Sequence, residues 1–261
     1  GVLKLDRPVF AGAVACLALV PVGLVRNRSP RAFVASIVVG LNNGMGQLVG
    51  VGIACAVAGL VVGTLSMADL TGKISSGMFT LAGGSYALTL LVATVVIILL
   101  GMGMPTPAVY ALSAVLAAPA LLALKIELLP AHLFIVYFAS MSAITPPVAV
   151  AAFAAASIAR ANPIAVAFVA CRVGIVAFVL PLVFVSQPGL LLMGDAATVV
   201  TTIGFVLMGA LCLVIAFEGW LFGLVATPLR AALVVLAIVL LAQSGAARWG
   251  AAATFLALVV W

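Results

Sequence analysis

The stretch Gly101-Met-Gly-Met-Pro-Thr-Pro107 interrupts a long apolar run with two glycines, two prolines and one hydroxyl group. A second interruption of the same kind, Ser142-Ala-Ile-Thr-Pro-Pro147, follows further along the chain. In hydrocarbon every backbone N–H and C=O needs an internal partner, so irregular backbone survives there only when protein buries it or when it lines a cavity. Paired breaks of this kind are typical of secondary transporters, whose discontinuous helices hold a coupling ion and an anionic substrate near the membrane midplane.

The composition of the chain indicates a membrane protein. Of its 261 residues, 67% are hydrophobic and 6% are charged, with a mean hydropathy of +1.48, whereas charged residues make up about a quarter of a soluble domain. The 11 lysines and arginines are scattered singly between apolar spans and form no basic face, so no nucleic-acid partner is expected. We therefore predict an all-α polytopic protein in the lipid bilayer. No nucleophile or acid pair lies in mid-span, so an enzyme is not expected.

Apolar runs of about 20 residues define the predicted spans and three regions of the chain. Residues 1–76 are expected to hold a span at 8–25, an interfacial helix at about 31–41, a turn, a second span at about 47–67 and a polar connector at 69–76. Residues 77–192 hold both breaks: limbs at 81–100 and 108–124, an interrupted helix at 131–159 and a span at 164–185. Residues 193–261 hold further spans at about 197–217, at about 229–243 and after Arg248.

Two topologies fit the region around the first break. Either both limbs cross the membrane, or residues 77–124 form a re-entrant hairpin whose tip is the break. With the hairpin, one side of the membrane collects most of the arginines and is therefore predicted to be cytoplasmic; these are Arg26, Arg28, Arg31, Arg160, Arg172 and Arg230. The hairpin then enters from the opposite side, which holds Lys4, Asp6, Arg7, Asp69, Lys73, Lys125, Glu127, Asp195 and Arg248.

The residues in the two breaks suit a sodium ion. Na⁺ takes several oxygen ligands, and such folds supply them from backbone carbonyls at unwound turns and from hydroxyl groups. The glycines permit close approach and positive φ, and the prolines leave carbonyls without partners. The predicted ion and substrate site is Gly101, Gly103, Pro105, Thr106, Pro107, Ser142, Ile144, Thr145, Pro146 and Pro147, with Na⁺ held through Gly101, Gly103, Thr106, Ser142 and Thr145. The alternative is that glycine and proline merely kink packed helices.

Other polar residues receive structural interpretations. No carboxylate lies in the breaks, so a divalent cation is not expected, and Na⁺ is the coupling ion with no other cofactor. His132 is a single imidazole near a membrane edge, where an interfacial role is favoured over a proton relay. Arg172 and Glu218 lie close enough to loops to extend toward water.

The order and spacing of several motifs resemble one family. Leu100-Gly-Met-Gly-Met-Pro-Thr-Pro-Ala-Val-Tyr110 and Ser142-Ala-Ile-Thr-Pro-Pro-Val148, followed by Arg172-Val-Gly174 and Gln187-Pro-Gly-Leu-Leu191, are similar to the large membrane subunit of tripartite ATP-independent periplasmic (TRAP) transporters. The resemblance covers about residues 40–192 and is greatest for the fused-permease branch associated with TAXI binding proteins.

This resemblance implies a fold and a function. The fold is the elevator type of the ion-transporter superfamily, in which each of two inverted repeats contributes a re-entrant helical hairpin and a broken transmembrane helix. The function is Na⁺-coupled import of organic acids (carboxylates) across the bacterial inner membrane. The partners are a periplasmic substrate-binding protein and a small membrane subunit or its fused equivalent.

The family's N-terminal repeat has a serine-rich hairpin tip and a Pro-Pro-Ser break that these residues lack. We therefore expect a C-terminal part of the permease, with the missing N-terminal half as a further partner. Two alternatives remain at this point: a carboxylate or other anion permease of the same superfamily that needs no binding protein, and a noncatalytic membrane scaffold.

Overall fold

The computed structural model describes residues 8–26, 29–221, 223–242 and 245–260. Within these ranges the chain forms twelve α-helices and one short 3-10 helix, with no strand beyond an isolated bridge between Trp220 and Leu224. The all-α prediction is confirmed. Three of the described helices are long and apolar enough to cross a membrane, or four spans if one bent pair counts as a single span.

The chain divides into two compact units, Gly1–Ile53 and Ala54–Trp261. The first unit contains α1 (Pro8–Arg26) and the beginning of α2 (Pro30–Met67), and the ring of Phe33 lies over Gly23. The loop charges Lys4, Asp6, Arg7 and Arg28 lie outside the described residues.

The predicted turn between an interfacial helix and a second span is wrong, because α2 is one continuous helix of 38 residues. The sequence expectation rested on Gly40, Asn42, Asn43, Gly44 and Gly46, which favour turns. A glycine costs a helix about 1 kcal/mol relative to alanine, whereas an unpaired backbone group in hydrocarbon costs several kcal/mol. A continuous helix keeps the backbone N–H and C=O groups of these residues hydrogen-bonded, and this gain outweighs their weak preference for a turn.

The polar connector predicted at residues 69–76 is helical and belongs to α3 (Leu70–Leu81). The first limb of the break region consequently begins later than expected, at α4 (Tyr86–Leu100). Gly83 and Gly84 separate the two helices with φ of 56° and 70°, a left-handed conformation that glycine adopts without steric cost. The second limb is α5 (Thr106–Ala123).

The next four helices surround the second break. They are α6 (Leu128–Met141), α7 (Val150–Ala159), α8 (Pro163–Val173) and α9 (Ile175–Ser186), followed by the 3-10 helix at Pro188–Leu191. The chain bends by 116° between α7 and α8. The single span predicted at 164–185 is wrong, because Gly174 interrupts it between α8 and α9. A β-carbon at Gly174 would lie 3.0 Å from the carbonyl oxygen of Ala170, so the backbone is closely packed there.

The last three helices are α10 (Ala196–Glu218), α11 (Thr227–Leu241) and α12 (Gly245–Val260). Their shared core includes Phe205, Cys212, Leu233, Leu240 and Phe255. Buried Gln187 links the end of α9 to this group, since its side chain donates to the Leu241 carbonyl oxygen (2.6 Å) and accepts from Arg248 (2.8 Å).

The main core lies between α4, α5, α6 and α9 and positions both breaks. The rings of Phe134 and Phe138 meet edge to face with centroids 4.7 Å apart. Small residues are fully buried beside them, and small side chains let helices approach closely where hydrophobicity alone drives no association; they are Ala93, Ala108, Ala117 and Ala131. The breaks thus lie at the ends of tightly packed helices.

Candidate functional site

The first break is a five-residue turn that leads from α4 to α5. Gly101 ends α4 with φ −77°, and Gly103 has φ +81°, the left-handed region that strongly favours glycine. Pro105 caps α5 in an extended conformation, φ −63° and ψ 140°. The carbonyl oxygens of Met102, Gly103 and Met104 accept no hydrogen bond from any residue that the structure describes.

The second break, between α6 and α7, has irregular backbone over residues 142–149. Its backbone hydrogen bonds include those from the Ile144 amide to the Met141 carbonyl (3.1 Å), from the Thr145 amide to the Ser142 carbonyl (3.3 Å) and from the Ala151 amide to the Ala143 carbonyl (2.9 Å). The peptide bond between Pro146 and Pro147 is cis. Across the described part of the chain, no donor reaches the carbonyl oxygens of Pro146, Pro147 and Val148.

The two breaks touch each other. The Ser142 hydroxyl shares its one proton between the Gly101 carbonyl oxygen at 3.1 Å and the Ala139 carbonyl oxygen at 2.7 Å, and Ser142 is 3% exposed. A β-carbon at Gly101 would overlap the Ser142 side chain, and one at Gly103 would lie 3.6 Å from Val148 Cγ1. Glycine at 101 therefore permits this close approach of the two breaks, each of which contains unpaired carbonyls.

Two of the helices that lead to the breaks, α4 and α6, are shorter than a bilayer core is thick. The α5 and α6 helices pack side by side and are joined by the charged turn at Lys125–Glu127. The 14 residues of α6 and the 15 residues of α4 correspond to about 21 and 22 Å at 1.5 Å per residue. Since a bilayer core is about 30 Å thick, helices of this length starting at one surface end inside it.

The three predicted hydroxyl ligands differ in their surroundings. Thr106, at the start of α5, is partly exposed, and its hydroxyl has no hydrogen-bond partner among the described residues. Thr145 donates to the Met141 carbonyl oxygen at 2.7 Å, and Ser142 bridges the breaks as described. Of the three hydroxyl groups, that of Thr106 therefore neither donates nor accepts a hydrogen bond among the described residues.

The remaining predicted site residues lie in or beside the same two turns. Pro105 and Pro107 flank Thr106, and Pro146 and Pro147 form the second turn. Ile144 contacts the α8–α9 region, where its carbonyl oxygen lies 3.4 Å from the Cys171 sulfur. Sequence reasoning did not single out Cys171 or Gly174 as site residues. A glycine in the middle of the apolar run from 164 to 185 was the available signal.

Two polar pairs outside the breaks fasten the surrounding helices. His132 Nδ1 lies 3.0 Å from the Tyr110 hydroxyl, which links α6 to α5. Arg172 and Glu218, expected to extend toward water, are both exposed and form an ion pair of 2.9 Å. Nearby, Arg230 donates to the Ala216 carbonyl oxygen at 2.6 Å, so two arginines converge on the C-terminal end of α10.

The fold and the site define a class of protein. A polytopic helical membrane protein in which two helix breaks with unpaired carbonyls touch each other through a side-chain hydrogen bond has the architecture of a secondary transporter permease. The sequence identifies the family: the model of the tripartite ATP-independent periplasmic transporter, DctM component, matches residues 2–199. The chain belongs to this family, which is a family of transporters and not of enzymes. No curated protein and no solved structure matches the chain.

Proposed function

We propose that this protein is a permease subunit of a Na⁺-coupled TRAP transporter that imports organic acids across the bacterial inner membrane. A periplasmic substrate-binding protein delivers the acid, and a small membrane subunit or its fused equivalent completes the complex. Assignment to the TAXI-associated branch and to the C-terminal part of a longer permease rests on sequence resemblance and belongs to this proposal.

One observation carries the proposal: the hydrogen bond from Ser142 to the Gly101 carbonyl joins two breaks that each present unpaired carbonyl oxygens. Carbonyl and hydroxyl oxygens without a nearby carboxylate suit a monovalent hard cation better than a divalent one. In this proposal Na⁺ is held by carbonyls of both breaks and by the Thr106 hydroxyl. Ser142 is then a bridge between the breaks rather than a free ligand.

The helix N-termini at the breaks support the proposal that the substrate is an anion. The α5 helix starts at Thr106 and the α7 helix starts at Val150, so two N-termini adjoin the breaks. A helix N-terminus carries free N–H groups and a partial positive charge, which favour a carboxylate. Substrate and Na⁺ would thus share the same pair of turns, which is a direct basis for coupling.

The length of α4 and the loop charges support a hairpin arrangement of α4 and α5. The 15 residues of α4 extend about 22 Å, less than a bilayer core of about 30 Å. The 18 residues of α5 are long and apolar enough to cross, so the length argument for a re-entrant hairpin rests on α4. At the two ends of α10, Asp195 lies opposite Glu218, Arg172 and Arg230. This separation agrees with arginine on the cytoplasmic side and with a hairpin that opens outward.

The test is uptake by the full transporter with its binding protein in proteoliposomes, comparing Thr106→Val with Thr106→Ser. Valine has nearly the same shape as threonine, and the hydroxyl makes no hydrogen bond in the fold, so folding is preserved. Losing one ligand of a charged ion costs roughly 1.5 kcal/mol or more. The Na⁺ concentration for half-maximal uptake should therefore rise about tenfold in Thr106→Val and change little in Thr106→Ser.

Thr145→Val is the matched second variant, because its hydroxyl donates to Met141 within the α6 end. We expect it to lower the amount of folded protein more than it changes the Na⁺ dependence. Uptake that proceeds equally in K⁺ and Na⁺, or a Thr106→Val variant with the Na⁺ dependence of the wild type, would contradict the proposed site.

A further inference from the structure

The helix interruption at Gly174 adjoins the second break. We call the residues from Cys171 to Ile175 the α8–α9 joint. At this joint the regular ladder stops: the Gly174 amide bonds the Ala170 carbonyl at 2.8 Å, and the Ala177 amide bonds the Gly174 carbonyl at 2.9 Å. Among the described residues, no amide reaches the Cys171 carbonyl oxygen. The joint is therefore a third place with irregular backbone.

Two contacts and one close approach connect the joint to the second break. The Cys171 thiol donates to the Ile144 carbonyl oxygen at 3.4 Å, and the Thr145 hydroxyl lies next to the same thiol. A β-carbon at Gly174 would lie 3.3 Å from Ile144 Cδ1, which is tighter than ordinary van der Waals contact. Ile144 is thus held between a thiol and a glycine backbone, neither of which belongs to the breaks.

The segment between the break and the joint packs as a small unit of its own. The α7 and α8 helices share a separate cluster formed by Ala149, Ala152 and Ala167, with Phe153 and Ala170 against it. Both ends of this helix pair lie near Ile144: α7 begins after the second break, which contains Ile144, and α8 ends at the joint, which contacts Ile144. The joint and the second break are therefore in contact at Ile144.

We propose that Cys171 and Gly174 are positioning residues for the ion site, because they fix the backbone of Ile144 and Thr145 and so orient the carbonyls of the second break. They touch no ion themselves. This inference rests on the proposed Na⁺ site. A thiol is a weak donor, so its loss should change Na⁺ affinity by about two- to fivefold, the range expected for a weak hydrogen bond.

The experiment is thermal unfolding of the purified full chain in nanodiscs, titrated with NaCl at constant total NaCl plus choline chloride. A ligand that binds only the folded state raises the unfolding midpoint, and the rise depends on the ligand concentration relative to its dissociation constant. Cys171→Ala and Gly174→Ala should each require more Na⁺ for half of the stabilisation. Cys171→Ser retains a donor toward Ile144 and should stay close to the wild type.

Matched controls are Cys212→Ala and Gly204→Ala. Cys212 is fully buried in α10, and a β-carbon at Gly204 meets nothing within 4 Å. Cys212→Ala should lower the unfolding midpoint without changing its Na⁺ dependence, which is the effect expected when a residue with a purely structural role is replaced.

An unchanged Na⁺ dependence in both Cys171→Ala and Gly174→Ala would overturn this inference if Thr106→Val still weakens the response, and the proposed function would stand. A wild-type protein that Na⁺ does not stabilise beyond choline would overturn the Na⁺ site and this inference together.

Discussion

Two residues, Gly101 and Ser142, bring the breaks together. The hydroxyl of Ser142 reaches the Gly101 carbonyl because no side chain separates the two backbones. Sequence reasoning selected Gly101 for close approach, and its structural surroundings agree with that choice. The direction of each hydroxyl was not predictable, because a side-chain rotamer depends on neighbours far along the chain. Ser142 shows this, since its hydroxyl lies 3.1 Å from the carbonyl oxygen of Gly101, a residue of the other break.

We predict that Gly101→Ala destabilises the folded protein. The added methyl would overlap the Ser142 side chain, and inserting a methyl into a well-packed region typically costs about 1–3 kcal/mol. The measurement is the unfolding midpoint of Gly101→Ala without Na⁺. Gly204→Ala is the control, with open space for its β-carbon. Equal midpoints for the two variants would mean that the close contact at Gly101 is absent.

Individual elements differ in how well the sequence predicts them. The helices that flank the first break, α4 and α5, follow from the glycines and prolines between them. The α3 helix was missed because Lys73, Ser75 and Ser76 are polar enough to suggest a loop. The interruption at Gly174 was missed because a lone glycine is usually tolerated in a membrane helix, and the contact with Ile144 that explains it is remote in sequence.

The start of α10 provides a prediction about pH. The Asp195 carboxylate accepts from the Thr198 hydroxyl at 2.6 Å and from the Thr198 amide at 3.2 Å, and these bonds lower the pKa of Asp195. A carboxyl whose pKa is lower in the folded state stabilises the fold above its unfolded pKa, near 3.9. That contribution is lost as the pH falls through the folded pKa.

We expect Asp195→Asn to match the wild type near neutral pH, since asparagine also caps helices, and to lose less stability than the wild type below about pH 4. The unfolding midpoint as a function of pH measures both effects. Parallel curves for the two proteins at acid pH would show that the ionised Asp195 does not stabilise α10.

At the scale of the whole molecule, the proposed topology has the hairpin tip inside the membrane. The charged turn at Lys125–Glu127 lies on the proposed outer side and Arg160 on the cytoplasmic side. In a background without native cysteines, Lys125→Cys and Arg160→Cys should react with a membrane-impermeant maleimide from opposite sides. Met102→Cys, at the tip, should not react from the cytoplasmic side. Cytoplasmic labelling of Met102→Cys as fast as Arg160→Cys would mean that α4 and α5 both cross.

The membrane class and the family were predictable from composition and from the motifs around the breaks, because hydrocarbon leaves a chain few structural solutions. The continuity of the α2 helix was not predictable, because its glycines and asparagines locally favour a turn while the apolar surroundings favour a helix. The network of Gln187, Leu241 and Arg248 was also unpredictable, because its members are separated by long stretches of chain.

The central claim is that the two breaks together bind Na⁺. The most direct measurement is equilibrium binding of radioactive ²²Na⁺ to the purified protein in nanodiscs, with unlabelled Na⁺ or K⁺ as competitor. We predict that the wild type binds ²²Na⁺ saturably and that unlabelled Na⁺, but not K⁺, displaces it. Gly204→Ala should bind as the wild type does. Gly101→Ala should bind about tenfold or more weakly, which corresponds to a loss of roughly 1.4 kcal/mol in binding free energy. No saturable binding to the wild type, or binding that Gly101→Ala leaves unchanged, would contradict the account.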